Sequence, residues 1–161
     1  MGQRDKTHHY RLAIVWTGNT GAGTAGYSSF ERSYEVLSAG KPAISGSSDP
    51  AFRGDRSKHH PEDLLLASLS SCHMLWYLHL CSENGIVVTA YTDQVSGLLE
   101  ETPHGAGKFS GATLRPRVIV AESSMIAAAN ALHKEAGKYC FIANSVNFPV
   151  DYLPECNAER S

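Results

Sequence analysis

Four cysteines, Cys72, Cys81, Cys140 and Cys156, carry the widest chemical reach in this chain of 161 residues. A thiol becomes a nucleophile or a redox centre only as its thiolate, and that needs a nearby cation to lower its pKa. Cys72 is the best served of the four. The segment ahead of it holds Arg53, Arg56 and Lys58, with His59 and His60 beside them, followed by Glu62 and Asp63. An arginine from that segment stays charged and can hydrogen-bond both a sulfur and an oxygen-bearing substrate. Glu62 can hold such an arginine through a bidentate pair. His73 adjoins Cys72 in sequence but points about 100° away from it around a helix, which aims it poorly. The plainer alternative stays open. Free cysteine is among the most buried residue types, Glu62 suits the start of a helix on dipole grounds alone, and a basic loop can simply be solvated.

Other chemistries find less support. Cys72 and His79 share a helical face and His59 and His60 lie upstream, yet no set of four ligands has zinc spacing and no CxxC occurs. A Cys/His acyl-transfer site needs its histidine placed by a third group, which nothing here specifies. Gly21, Gly23 and Gly26 form a GAGTAG run that matches a dinucleotide fingerprint in letters only. That fingerprint must open a helix, whereas Tyr27–Leu37 follows with the alternation of a strand.

The element that must position Cys72 is a long helix. Pro61 suits its first turn, Glu62 and Asp63 face the positive end of its dipole, and Asn84-Gly85 are the residue types of a left-handed cap. The span amounts to roughly 33 Å of helix at 1.5 Å per residue. Leu65, Leu69, Cys72, Trp76 and Leu80 recur at helical spacing, which puts Cys72 in the middle of an apolar stripe. Leu64 to Cys81 is uncharged over a length at which a membrane span becomes a candidate. Ser68, Ser70, Ser71, His73 and His79 interrupt it, and burial in a core or a dimer interface fits better.

Around this helix the chain reads as strand (9–17), glycine-rich hairpin loop, strand (27–37), and a long loop (38–60) with an extended piece near Ala43-Ile44. After the helix come two extended runs, 86–101 and 108–121, patterned as a long antiparallel hairpin in which Pro116 marks an edge or a bulge. A second helix from Ser123 or Ser124 to about Tyr139 follows, then a strand over 144–152 and a frayed tail. The order predicts an α+β fold with an antiparallel sheet. The expected organisation is a flexible N-terminus (1–8), one domain (9–153) and a C-terminal tail (154–161). The uncharged length of the central helix exceeds what one sheet can cover, so a second subunit is expected to take the remainder.

The formal net charge of −2 and the polar first ten residues give no case for nucleic acid, a membrane surface or a secretory signal. Lys6 stands where a myristoylation signal needs Ser or Thr. The cytoplasm is the expected compartment, where isolated cysteines are buried hydrophobes or reactive thiols rather than a disulfide framework.

The block HHPEDLLLASLSSCHMLWYLHLC, with YCFIANSVNFPV about seventy residues further on, resembles the OsmC/Ohr family of organic hydroperoxide reductases over roughly residues 10–152. The resemblance rests on Pro-Glu-x-Leu-Leu, a helical cysteine ten residues after the glutamate, and a later cysteine ahead of a Val/Ile-Ser/Ala-Asn sequence, here Ile142-Ala143-Asn144. It implies that Cys72 is peroxidatic, that Cys140 resolves it, and that Arg53 with Glu62 activates Cys72. It also implies an intertwined homodimer, and no cofactor or metal is expected. Cys72 would become a sulfenic acid, Cys140 would condense with it to a disulfide, and an external dithiol would reduce that disulfide. Leu69, Trp76 and Phe141 would line an apolar pocket favouring an organic hydroperoxide. The chain departs from the family pattern at His60, where Asn is usual, at Phe141, where Pro is common, and in a loop length that makes Arg56 a competitor of Arg53. The competing class is a non-enzymatic dimeric domain with inert core thiols.

Overall fold

The computed structural model describes residues 6–159. Most of the expected flexible N-terminus and the last two residues of the expected tail lie outside the described residues. The chain divides into two compact units, residues 1–64 and 65–161.

In the first unit the expected strands shorten to β1 (Ala13–Trp16), β2 (Tyr34–Leu37) and β3 (Ile44–Gly46), joined as an antiparallel sheet in that order. The glycine-rich run turns back on itself because Asn19 Oδ1 accepts the N–H groups of Gly21 and Gly23, whose φ values of 119° and 55° favour glycine. The run therefore feeds an antiparallel strand and opens no helix. Gly46 lies under the Tyr34 ring, where a Cβ would collide with it. β1 is exposed along its whole length, with Ile14 at 59% and Trp16 at 45%. The loop beyond β3 holds a 3-10 turn (Pro50–Phe52), whose first N–H groups are met by Asp49.

The central helix, α1 (Pro61–Glu83), begins in the first unit and continues into the second. Its end is a Schellman motif. Ile86 N–H bonds to Cys81 O at 2.9 Å and Gly85 N–H to Ser82 O at 3.2 Å, with Gly85 at φ 69°. By length and composition α1 could cross a membrane, with a mean hydropathy of 1.3. Its buried residues are Leu69, His73, Tyr77 and Cys81, all packed within the second unit. This stripe is turned by about one residue from the expected one, and Cys72 and Trp76 sit half-buried on its flank.

The expected long hairpin is broken in two. β4 (Val88–Asp93) pairs with β7 (Pro116–Val120), and β5 (Ser96–Glu101) pairs with β6 (Gly107–Leu114), in separate sheets. The cause is local. Pro116 has no N–H to donate, and its register partner Asp93 turns its carboxylate to the Arg115 N–H at 2.7 Å. Pro116 thus opens the middle strand of a sheet rather than lying at an edge.

The second helix, α2 (Ile126–Tyr139), follows a 3-10 turn (Ser123–Met125), and neither serine hydroxyl caps it. Its buried face is Ala129, His133 and Ala136, continued by Cys140 at the C-cap. Only Val150–Tyr152 of the expected last strand pairs as a strand (β8), since residues Ala143–Ser145 close a 3-10 turn in which Ser145 N–H returns to Ile142 O. The tail expected to fray carries β9 (Glu155–Ala158), which joins β7 in parallel, as β8 joins β6. The sheets are thus β4-β7-β9 and β5-β6-β8, and the fold is the expected α+β class.

Candidate active site

Two buried stripes meet on the faces of α1 and α2. Cys140 Sγ lies 4.0 Å from Leu69 O, His73 Nε2 lies 3.0 Å from His133 Nδ1, and Tyr77 stacks on His133 at 3.9 Å between centroids. Residues rising along α1 meet residues descending along α2, so the helices run antiparallel here. The consequence for Cys72 is direct. It packs half-buried against the cluster of Leu69, Ala112, Leu114 and Cys140, with Phe148 and Tyr152 at the same place.

Both thiols are free. Burial pushes the Cys140 thiol up to about 11, and a hydrogen bond with the Cys72 thiol adds to this. The Ala143 N–H, 3.4 Å from Cys140 Sγ, works in the opposite direction. Cys140 is therefore a neutral thiol held next to Cys72. Tyr152 is likewise pushed up to about 12, by burial first and then by Cys140 and Cys72.

Of the residues expected to line an apolar pocket, Leu69 is fully buried beneath Cys140. Trp76 stacks on Tyr139 at 5.2 Å and meets Phe141 edge-on at 5.6 Å. Phe141 remains 64% exposed. Trp76 also borders a shallow hollow of about 290 Å³ with Leu75 and His79.

In the first unit, Glu62 does not meet Arg53. Glu62 Oε2 lies 3.3 Å from His60 Nδ1, and His60 Nε2 faces Asp63 at 3.3 Å and Asp49 at 3.9 Å. Arg53 is exposed, in the left-handed region at φ 63°, with its guanidinium 5.8 Å from the Tyr27 ring centroid. Arg32, which carried no weight in the sequence, covers the same ring at 4.5 Å and donates to Tyr27 O and Phe30 O. Arg56 is exposed.

His133 carried no weight in the sequence, and His73 entered only as a poorly aimed neighbour of Cys72. His73 is pushed down to about 4 by burial, and His133 to about 3 by burial and then by His73. His73 is a neutral imidazole and cannot supply the cation that Cys72 needs.

A family model described as OsmC-like protein matches residues 54–152. An OsmC-like protein of unknown function from Vibrio cholerae O1 biovar eltor is 25% identical, with a TM-score of 0.80 over 94% of this chain and 100% of that one. An organic hydroperoxide resistance protein from Elizabethkingia anophelis is 17% identical, with a TM-score of 0.69 over 94% and 100%. The organic hydroperoxide resistance protein OhrB of Bacillus subtilis is 18% identical, with a TM-score of 0.59 over 92% and 98%. No curated protein matches the chain. With the family model covering most of the sequence and these folds superposing along nearly all of it, the chain belongs to the OsmC-like protein family.

Proposed function

We propose that this protein is a thiol peroxidase that reduces organic hydroperoxides to alcohols through Cys72 and Cys140. The observation that carries the reading is the neighbouring of two free thiols from distant parts of the sequence, one half-buried and one buried. Two solved folds similar to this one belong to proteins named for organic hydroperoxide resistance, which supports the same substrate class.

The Cys72 thiolate attacks the terminal oxygen of ROOH, the O–O bond breaks, and the alkoxide takes a proton to leave as ROH. Cys72 is then a sulfenic acid. The Cys140 sulfur attacks the sulfenic sulfur, and the S–O bond breaks. The Cys140 proton leaves with the hydroxyl as water, and a disulfide remains. An external dithiol returns both cysteines to thiols. Leu69, Trp76, Phe141 and Phe148 give the reaction apolar surroundings, which favour an organic hydroperoxide over hydrogen peroxide.

Arg53 and Glu62 take the role of activating Cys72, as the resemblance implies. A homodimer completes the protein. It would cover the apolar residues left exposed on β1 and at Leu75, which is 63% exposed. The cytoplasm is the compartment in which such a dithiol-driven cycle runs.

The test is consumption of cumene hydroperoxide with dithiothreitol as reductant. Wild-type protein should turn over and Cys72→Ser should not. Equal consumption by the two would overturn the reading.

A further inference from the structure

Two polar side chains tie the turn of α1 that carries Cys72 to the rest of the second unit. Ser70 donates to the Asp93 carboxylate of β4, which is itself fixed by the Arg115 N–H. His73 bonds to His133, a buried side-chain hydrogen bond between α1 and α2. The two imidazoles are 0% and 2% exposed and nearly coplanar, with 13° between the rings. Tyr152 stacks on His73 at 4.5 Å and Tyr77 on His133 at 3.9 Å, so each ring is clamped from a face. The outer nitrogens, His73 Nδ1 and His133 Nε2, have no hydrogen-bond partner among the described residues. A buried pair that leaves two polar atoms unpaired costs stability relative to apolar residues, and its retention in the core calls for another gain.

His133 and Cys140 lie two turns apart on one face of α2, and His73 follows Cys72 directly on α1. The hydrogen bond therefore fixes how α2 stands along α1, and with it where Cys140 stands relative to Cys72. Disulfide closure tolerates little error in that placement, because Cα atoms must come within about 7 Å with matching side-chain directions. A neutral bond suits the task, since a lysine–carboxylate pair at this depth would carry a desolvation cost.

We propose that the His73–His133 hydrogen bond is the positioning element for the resolving step, holding Cys140 in reach of oxidised Cys72. The inference deepens the peroxidase reading and rests on it for the biological oxidant. The juxtaposition itself is independent of that oxidant, and the experiment uses this.

Breaking the bond from either helix, with His73→Met or His133→Met, should leave the bimolecular rate of Cys72 oxidation by cumene hydroperoxide within about twofold of wild type. The unimolecular rate of Cys72–Cys140 closure should fall about tenfold, the effect of losing one buried hydrogen bond at a strained approach. Cys72 sulfinic acid should accumulate in step, seen by peptide mass. His133→Asn keeps a polar atom at the position of Nδ1, and His73→Gln keeps one at Nε2, so these variants should recover most of the closure rate. A second arm replaces hydroperoxide with diamide, which joins adjacent thiols without a sulfenic acid. Slowed diamide closure in the Met variants, with wild type inert to hydroperoxide, would uphold the positioning role while removing the peroxidase reading. Unchanged closure in the folded Met variants, equal slowing of oxidation and closure, or loss of fold in both Met variants would overturn the proposal.

Discussion

The sulfur of Cys140 lies 4.0 Å from the carbonyl oxygen of Leu69, one turn before Cys72 on α1. Cys140 thereby rests on the same helix that carries its proposed partner, and the Leu69 side chain, fully buried, is the floor beneath it. Leu69→Ala should open a cavity there and destabilise the fold by about 2–5 kcal/mol, the range for such core truncations. Urea unfolding at neutral pH measures it. A loss under about 1 kcal/mol would mean that the site collapses around the smaller residue and that Leu69 is not the support described.

The imidazole pair makes stability depend on pH in a definite direction. His73 and His133 are held at about 4 and about 3 in the folded protein, against an ordinary value of 6.5. The unfolded chain therefore binds protons first on acidification. Their contribution is complete above pH 6.5 or so and is lost as the pH falls through the folded values. Urea midpoints should drop between about pH 7 and about pH 5. The drop should be smaller in a His73→Met/His133→Met double variant, where the two buried imidazoles no longer respond. An identical drop in the two proteins would contradict the assignment.

Arg53 is assigned the activation of Cys72. Arg53→Ala should slow the reaction of Cys72 with hydroperoxide about a hundredfold. Arg53→Lys should recover part of the rate, because the charge is kept while the planar fork is lost. An unaltered rate in Arg53→Ala would move the role to another guanidinium, with Arg56 and Arg32 next to be tested.

The exposed apolar surface of β1 and Leu75 predicts a solution mass of two chains at micromolar concentration. Ile14→Asp should shift the protein toward one chain, since a buried unpaired carboxylate opposes association. A wild-type mass of one chain with the fold intact would remove the dimer.

Much of this arrangement could be read from the residues. Pro61 and Gly85 bound α1 as their backbone preferences require, and the α+β order of elements followed from the change of period along the chain. The rotation of α1 could not be read. Counting only apolar side chains selected Leu65, Leu69, Cys72, Trp76 and Leu80. The buried set includes His73 because its hydrogen-bond partner comes from another helix, sixty residues away. The split of the hairpin depended on Asp93 reaching the N–H beside Pro116, a tertiary event with no periodic signature. β9 was missed for a similar reason, as Glu155–Ala158 has little apolar content and is extended through pairing with β7. At the site, the neighbouring of Cys72 and Cys140 came from the resemblance and from no spacing in the chain. Arg53 and Glu62 were paired by charge, yet Glu62 has the nearer His60.

The most direct test of the account is the fate of the thiols after one equivalent of cumene hydroperoxide. The account predicts that wild-type protein loses two thiols and yields a peptide joined through Cys72 and Cys140, while Cys81 and Cys156 stay reduced. In Cys140→Ser, Cys72 should stop at the sulfenic acid and pass to sulfinic acid with excess peroxide. A crosslink confined to Cys81 or Cys156, or no loss of thiol in wild type, would contradict it.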